Sequence, residues 1–198
     1  MEPPRGLELR AFLFYVLDVL DYLEIPYMVV GGYAATFYGE PRMTIDVDIV
    51  VDMQRKHVDA FVEAFPIPEF YVSKEGVLDA LHRRYSFNVI HPATGAKIDL
   101  VPLPRDIFSR VSFRRRQRMP VGESGRFAWF ISPEDIVIAK LKAYEATGSD
   151  KHLRDARGVL FVQQDTLNWD ALRRSAKASK VDALLQSLIE SLKPPDNA

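Results

Sequence analysis

The spacing of apolar residues predicts that the chain opens with alternating helices and strands. Apolar side chains recur at helical spacing over residues 9–23, and Pro26 ends that helix. The β-rich run at 27–30 stops at two glycines. A second, short helix is predicted over 33–38, with Gly39 placed to end it.

Alternation of apolar and polar residues is most regular in "TIDVDIVVD", which predicts a strand. Two further strands flank a turn around Gly95. In full, strands are predicted at 44–52, 85–90, 97–103 and 125–131, and helices at 54–65 and 77–84.

From residue 132 the pattern becomes helical and remains so to residue 192. Ser132 is a typical N-cap, Pro133 suits the first helical position, and acidic residues follow in the first turn. We therefore expect an α/β region over residues 1–131, a helical region over residues 132–192 and a frayed tail at 193–198.

The composition removes several classes of protein from consideration. The chain has 198 residues, 47% of them hydrophobic, and a net charge of −1, so its overall charge does not indicate a nucleic-acid or membrane partner. Cysteine is absent and the four histidines are scattered, which disfavours disulfides and zinc sites. The longest uncharged run of the first helix, residues 11–17, is too short to cross a bilayer, so we expect a cytoplasmic protein.

Acidic residues occupy alternate positions of the strand predicted at 44–52. Asp46, Asp48 and Asp52 fall on one face, whereas the aliphatic residues between them fall on the other face and can enter the core. Asp46 and Asp48 would lie about 7 Å apart along the strand and could hold a hard divalent cation such as Mg²⁺. The alternative is a solvent-exposed strand face that happens to be acidic, and Asp52 fits a role in a turn or cap.

A third carboxylate is available on a later predicted strand. In "KIDLV", Lys97, Asp99 and Val101 share one face. If the two strands are neighbours, Asp99 stands beside Asp46 and Asp48 and completes an acidic trio of the kind that supports phosphoryl transfer.

Candidate phosphate-binding groups flank the acidic strand. Gly31 and Gly32 lie between a strand and a short helix, where backbone N–H groups and the helix dipole can bind an anion. Arg42 and Thr44 precede the aspartates and could add bonds to phosphate oxygens. The alternatives are an ordinary glycine turn, an ion pair between Arg42 and Glu40, and a threonine that only favours the strand.

The residues alone do not decide the roles of two basic features. Lys140 interrupts an apolar helical stripe, so it extends to solvent or meets an anion, and Asp155 could orient it or pair with Lys151 instead. The dense basic run "SRVSFRRRQRMP" could contact RNA phosphates or form a solvated strand edge or loop. Its arginines are Arg110, Arg114, Arg115, Arg116 and Arg118.

The stretch "GGYAATFYGEPRMTIDVDI" resembles the signature of the nucleotidyltransferase superfamily, the polymerase-beta-like fold. Gly31 and Gly32 match its Gly-Gly/Ser element, Asp46 and Asp48 match its metal-binding pair, and Asp99 matches its third acid. Many active members have serine at the position of Gly32. The segment around Gly39, Arg42 and Thr44, with "SPEDIVIAKLKAY" and "KHLRDARGVL", resembles the AbiE-type (AbiEii) toxin branch.

This resemblance implies an α+β fold, with a mixed or antiparallel sheet flanked by helices and a C-terminal helical region that closes the cleft. It implies transfer of a nucleoside monophosphate from an NTP to a hydroxyl, with Mg²⁺ or Mn²⁺ held by Asp46, Asp48 and Asp99. Gly31, Gly32, Arg42, Thr44 and Lys140 would bind the nucleotide.

The resemblance leaves the acceptor open. It could be RNA, such as a tRNA 3′ end, a partner protein or a small molecule such as an antibiotic. By analogy with the toxin branch, the protein would be the toxin of a toxin–antitoxin pair and would have an antitoxin partner. The alternative is a catalytically degenerate nucleotide- or protein-binding module of the same fold.

Overall fold

The computed structural model describes residues 9–41, 46–122 and 125–192. Within them, one mixed sheet is built from β1 (Tyr27–Val30), β2 (Val47–Val51), β3 (Phe87–His91), β4 (Ala96–Pro102), β5 (Gln117–Val121) and β6 (Arg126–Phe130). The helices of the first 130 residues are α1 (Leu9–Tyr22), α2 (Gly31–Tyr38), α3 (Val58–Glu63), α4 (Lys74–Arg83) and α5 (Ile107–Arg114). The later helices are α6 (Pro133–Thr147), α7 (Asp150–Gln163), α8 (Trp169–Ala178) and α9 (Asp182–Glu190).

The described residues divide into two compact units. The sheet unit comprises residues 9–30 and 46–130, and the helical unit comprises 31–41 and 131–192. The helix α2 therefore groups with the C-terminal helices, although it lies inside the α/β region predicted over residues 1–131. The interpretation of the two predicted regions as a catalytic domain and a closing region stays a prediction.

The sheet unit is ordered β3-β4-β2-β1-β6-β5. The central strands β2 and β4 run parallel, β1 runs antiparallel to β2, and the outer pairs β3/β4 and β5/β6 are antiparallel. Val47, Ile49 and Val51 of β2 are completely buried, as their alternation predicts, and so are Phe12 and Val16 of α1. One face of β2 therefore belongs to the core, and its other face is left for Asp48.

The helical unit packs α2, α7 and α8 around α6. Ser132 caps α6 by accepting a hydrogen bond from the backbone N–H of Asp135, and Gly148 ends the helix with a φ of 68°. The chain after α2 passes so close to α7 that a Cβ on Gly39 would lie 2.9 Å from the backbone of Gly158. Only glycine fits that contact without a shift.

Most of the predicted elements are confirmed. The helix over 9–23, the strand at 27–30 and the turn at Gly95, which has a φ of 69°, are present. The acidic strand is shorter than predicted, since β2 begins at Val47 and Asp46 precedes it. Positions 44 and 45 and the tail 193–198 lie outside the described residues.

Two elements were not predicted, namely α5 and β5. Both carry the arginine-rich run, whose charge masks the periodic pattern, and β5 forms an edge of the sheet. The fold class is nevertheless confirmed as α+β with a mixed sheet flanked by helices. No helix in the described ranges is both long and apolar enough to cross a membrane.

Candidate active site

Asp48 and Asp99 lie directly beside each other on the parallel strands β2 and β4. Neighbouring strands are about 4.8 Å apart, and paired residues place their side chains on the same face. The same row continues to Val30 on β1 and to Asn88 on β3. The predicted neighbourhood of these two aspartates is therefore present in the sheet.

Asp46 is the residue immediately before β2 and its pairing with β4. Val47 pairs with Ile98, so the residue before Val47 lies alongside Lys97, the residue before Ile98, on the parallel strand. The side chain of Asp46 is exposed, whereas those of Asp48 and Asp99 are half-buried. Asp46 and Asp48 are two residues apart, so the alternation that predicts a shared face for them continues to the residue just before β2.

Asp99 is held by two side chains on its own face of the sheet. The amide Nδ2 of Asn88 donates to its Oδ1 at 2.5 Å, and the ammonium Nζ of Lys97 lies 2.9 Å from its Oδ2. Only 18% of the Asp99 side chain remains exposed, against 42% for Lys97. The carboxylate is therefore oriented before any ligand binds.

Lys97 is close to the whole acidic group. Its hydrogen bond to Asp99 raises the pKa of the Lys97 ammonium. Burial opposes this effect, and the negative charges of Asp99, Asp46 and Asp48 raise the pKa further. The ammonium therefore partly neutralises three carboxylates at once.

The donor set suits a hard divalent cation in part. Asp46 and Asp48 offer the oxygen ligands that Mg²⁺ prefers. Within the described ranges, however, no group of three or more His, Asp or Glu side chains is arranged to hold a metal ion. Asp99 points its oxygens at Asn88 and Lys97 instead, so the three-ligand metal site stays a prediction.

The predicted phosphate-binding residues are only partly described. Gly31 begins α2 with a φ of 67°, a left-handed conformation that favours glycine, and Gly32 follows it in the helix. Arg42 and Thr44 lie outside the described residues. Their proposed contacts stay predictions.

Lys140 forms an ion pair with a carboxylate of the same chain. Its Nζ lies 2.7 Å from Oδ2 of Asp155, and the two side chains are only 8% and 4% exposed. Of the two roles considered for Asp155, the structure therefore supports the contact with Lys140. Whether Lys140 also binds a nucleotide is not tested by this contact.

A cavity of 330 Å³ opens in the helical unit between α2 and α7. Its charged lining residues are Glu40, Lys151, Arg154 and Asp155. Thr36, which also lines it, has a hydroxyl that is buried without a hydrogen-bond partner among the described residues. The charged part of the lining thus combines two cations with two carboxylates.

The arginine-rich run forms a basic surface on α5 and β5. Arg116 lies 4.5 Å from the ring of Phe113 and 4.8 Å from that of Trp129, and it donates to the carbonyl of Phe113 at 2.7 Å. Arg110 and Arg114 are exposed on α5. Arg116 is therefore a packing residue, whereas the arginines of α5 face solvent.

Sequence reasoning missed Asn88 and Lys97 as partners of Asp99. The sequence contained a signal for Lys97, because Lys97 and Asp99 are two residues apart in "KIDLV" and so lie on the same face of the strand. Asn88 could not be assigned without the register of β3 on β4, which the sequence alone does not define.

No protein-family model matches the chain, and no curated protein matches it in sequence. Solved structures do match its fold. An antigenic nucleotidyltransferase-like protein from Paracoccidioides brasiliensis is similar with a TM-score of 0.57 and 20% identity, covering 96% of this chain and 95% of that one.

The protein ANT(2″)-Ia, solved in complex with adenylyl-2″-tobramycin, is similar with a TM-score of 0.56 and 15% identity. This match covers 85% of the present chain and 95% of the other. Identities this low carry information about fold and not about activity. The chain therefore has the nucleotidyltransferase-like fold.

Proposed function

We propose that the protein is a metal-dependent nucleotidyltransferase that moves a nucleoside monophosphate from an NTP to a hydroxyl acceptor. The observation that carries this proposal is the pairing of Asp48 with Asp99 on adjacent parallel strands, with Asp46 one step away. Acidic side chains clustered on one sheet face are costly unless cations neutralise them. The nucleotidyltransferase-like fold of the chain supports the same conclusion.

In this proposal the aspartates have distinct roles. Asp46 and Asp48 hold the divalent ion, Mg²⁺ or Mn²⁺, and Asp99 accepts the proton of the acceptor hydroxyl. The bound ion would supply positive charge to the phosphate oxygens as pyrophosphate leaves. Because Asn88 and Lys97 already fix Asp99, little of its orientation must be gained on binding.

The nucleotide phosphates are assigned to Gly31, Gly32, Arg42, Thr44 and Lys140. An ammonium carries three N–H donors, so the contact of Lys140 with Asp155 leaves donors for phosphate oxygens. The backbone N–H groups at the start of α2 can bind an anion. Phosphate binding there therefore does not require the hydroxyl of a serine at position 32.

Among the acceptors, RNA is favoured by the basic surface of α5 and β5. Residues 105–118 contain six arginines and one acid, although the whole chain has a net charge of −1. Such local charge suits a phosphate backbone. A small-molecule acceptor is the second choice, because ANT(2″)-Ia, with the same fold, was solved with an adenylylated antibiotic. A protein acceptor is the third.

The test is incorporation of label from each of the four α-³²P-labelled NTPs in the presence of Mg²⁺. Total RNA, lysate protein and an aminoglycoside would be offered separately. We expect label in the RNA, no label with EDTA, and none with Asp48→Asn, which keeps shape but removes charge. Label that persists at the wild-type rate in Asp48→Asn would contradict the assignment.

The RNA assignment has its own control. Reversing charge with Arg110→Glu and Arg114→Glu should weaken RNA labelling and RNA binding together. The matched variant reverses two exposed basic residues of α8, with Arg174→Glu and Lys177→Glu, and should leave both unchanged. Equal loss in the two variants would mean that only net charge matters.

The role as a toxin with an antitoxin partner rests on the sequence resemblance alone. Induced expression of the wild type should arrest growth of a bacterial host, and Asp48→Asn should not. Normal growth at high levels of folded, active wild type would remove the toxin role and leave the transferase in place.

A binding module without catalysis is the second candidate, and one observation favours it. The ion pair between Lys97 and Asp99 neutralises some of the acidic group's charge without any metal. A degenerate protein would bind nucleotide in equilibrium dialysis but transfer label to none of the three acceptor classes.

A further inference from the structure

We propose that a cavity at the β3 edge of the sheet binds the unpaired 3′-terminal base of the acceptor RNA, with the ring of Tyr71 as its stacking surface. This inference rests on the proposed function, in which Asp99 accepts the proton of the acceptor hydroxyl. It adds the site that holds the nucleotide carrying that hydroxyl. Asn88 connects the cavity to Asp99, because it lines the cavity and donates to the carboxylate at 2.5 Å.

Tyr71 lies on the same face of the sheet as Asp99. On β4, Lys97 and Asp99 are two residues apart and share a face. Their partners on β3 are Ile90 and Asn88, and paired residues direct their side chains to the same side of a sheet. Tyr71 extends the row of Lys97 and Ile90, because it pairs with Ile90 across the outer edge of β3. The path from Asp99 to Tyr71 therefore stays on one face.

The ring of Tyr71 is exposed, whereas the residue before it belongs to the core. Tyr71 is 57% exposed and Phe70 is completely buried. The alternation of an extended segment accounts for this difference, since successive side chains point to opposite faces. Ile90, the partner of Tyr71, is half-buried. An aromatic ring and an aliphatic side chain thus form an apolar surface at the edge of the aspartate face.

A cavity of 210 Å³ opens beside this surface, and its lining combines aromatic rings with hydrogen-bonding groups. Tyr71 and Tyr85 contribute the rings, and Ser73 and Asn88 contribute polar side chains. Tyr85 is 46% exposed, and its hydroxyl donates to a carboxylate oxygen of Asp79, which orients the ring. Proteins bind unpaired bases in this way, by stacking on aromatic side chains and by hydrogen bonds to the base edges. An aminoglycoside has no planar ring to stack.

The distance between Asp99 and the cavity suits a single nucleotide. Adjacent strands lie about 4.8 Å apart, so Asn88 is one strand spacing from Asp99 and Tyr71 is in the next segment outward. A 3′ hydroxyl at Asp99 would therefore place the base of the same nucleotide at the cavity. Asp99 can accept from that hydroxyl while Asn88 and Lys97 hold it, because each carboxylate oxygen has two lone pairs.

The experiment measures binding of a short single-stranded RNA whose 3′-terminal base is 2-aminopurine, with Mg²⁺ and without NTP. The fluorescence of 2-aminopurine falls when the base stacks, and a second RNA carries the probe at an internal position. The proteins are the full-length wild type, Tyr71→Ala, Tyr71→Phe and Tyr22→Ala. Tyr22 provides the matched control, because it is a tyrosine of α1 in the same unit and is 78% exposed. Circular dichroism establishes that each variant is folded.

We expect the wild type to quench the terminal probe strongly and the internal probe little. Tyr71→Ala should raise the dissociation constant measured with the terminal probe about tenfold, which is the scale of one lost contact between a base and an aromatic ring. Tyr71→Phe keeps the ring and should bind like the wild type, and so should Tyr22→Ala. In the labelling assay, Tyr71→Ala should raise the KM for RNA more than it lowers kcat.

Two results would overturn the inference and leave the proposed transfer reaction intact. One is a terminal probe whose fluorescence responds equally to the wild type and Tyr71→Ala while RNA still receives label. The other is label that enters the aminoglycoside and no RNA. Failure of the proposed function looks different: the terminal probe is quenched in a manner that depends on Tyr71, but no acceptor receives label. The cavity would then be the base-binding site of a protein without transferase activity.

Discussion

Breaking the buried ion pair between Lys140 and Asp155 should destabilise the protein strongly. The substitution Lys140→Met keeps the length and apolar stem of the side chain but removes its charge. The carboxylate of Asp155 then loses the ammonium that lies 2.7 Å away, in surroundings where only 4% of its side chain is exposed.

The magnitude follows from the burial of both groups. Removing one member of a buried ion pair costs about 3–5 kcal/mol, because the remaining charge has lost its partner but not its burial. For a chain of this length, that corresponds to a fall of roughly 10 °C in Tm. Replacing both members by apolar residues should cost much less, since no charge then remains in the interior.

Urea denaturation at neutral pH measures the effect in Lys140→Met, in Asp155→Leu and in the double variant. We expect each single variant to lose far more stability than the double variant does, which gives a strongly favourable coupling energy between the two sites. Lys74→Met, in the exposed pair with Asp59, should be indistinguishable from the wild type. A loss in Lys140→Met no larger than that in Lys74→Met would refute the argument from burial.

Three further predictions concern the helical unit. Gly39→Ala should lose about 1–3 kcal/mol of unfolding free energy in urea, because its Cβ would press on the backbone of Gly158 at 2.9 Å. Gly76→Ala, whose Cβ would meet only a side chain at 3.3 Å, should lose less. Ser132→Ala should lower the same free energy by about 1 kcal/mol through loss of the α6 cap. Burial, followed by a nearby lysine charge, lowers the pKa of His152 from 6.5, so the folded state binds fewer protons than the unfolded chain. Stability should therefore fall as pH drops through 6.5, and His152→Gln should reduce that fall in urea midpoints taken at successive pH values.

Much of the fold is available from the sequence because periodicity and burial agree. In β2 the aliphatic residues alternate with the acids, and the structure buries the aliphatic set completely. The α6 cap is equally local, since a serine, a proline and the acids after them define it without any tertiary contact. The helix α5 and the strand β5 escape prediction because their arginines hide the apolar periodicity.

The site is harder to predict because it depends on register. Parity places Asp48 and Asp99 on one face of their own strands, but only the pairing of β2 with β4 puts them side by side. The contact of Asn88 with Asp99 spans a further strand pair. Register is a property of the assembled sheet, so sequence reasoning could name the carboxylates but not the donors that hold them.

Lys97 and Lys140 differ in a way that decides what each can do. Both rest against an aspartate, at 2.9 Å for Lys97 and 2.7 Å for Lys140. The side chain of Lys97 is 42% exposed, so water can solvate its ammonium at little cost if a substrate displaces it. The side chains of Lys140 and Asp155 are 8% and 4% exposed, so separating them would break an ion pair between two buried charges at a much larger cost. The ion pair of Lys97 is therefore the weaker of the two, whereas Lys140 can bind a ligand only by keeping Asp155 and adding a bond.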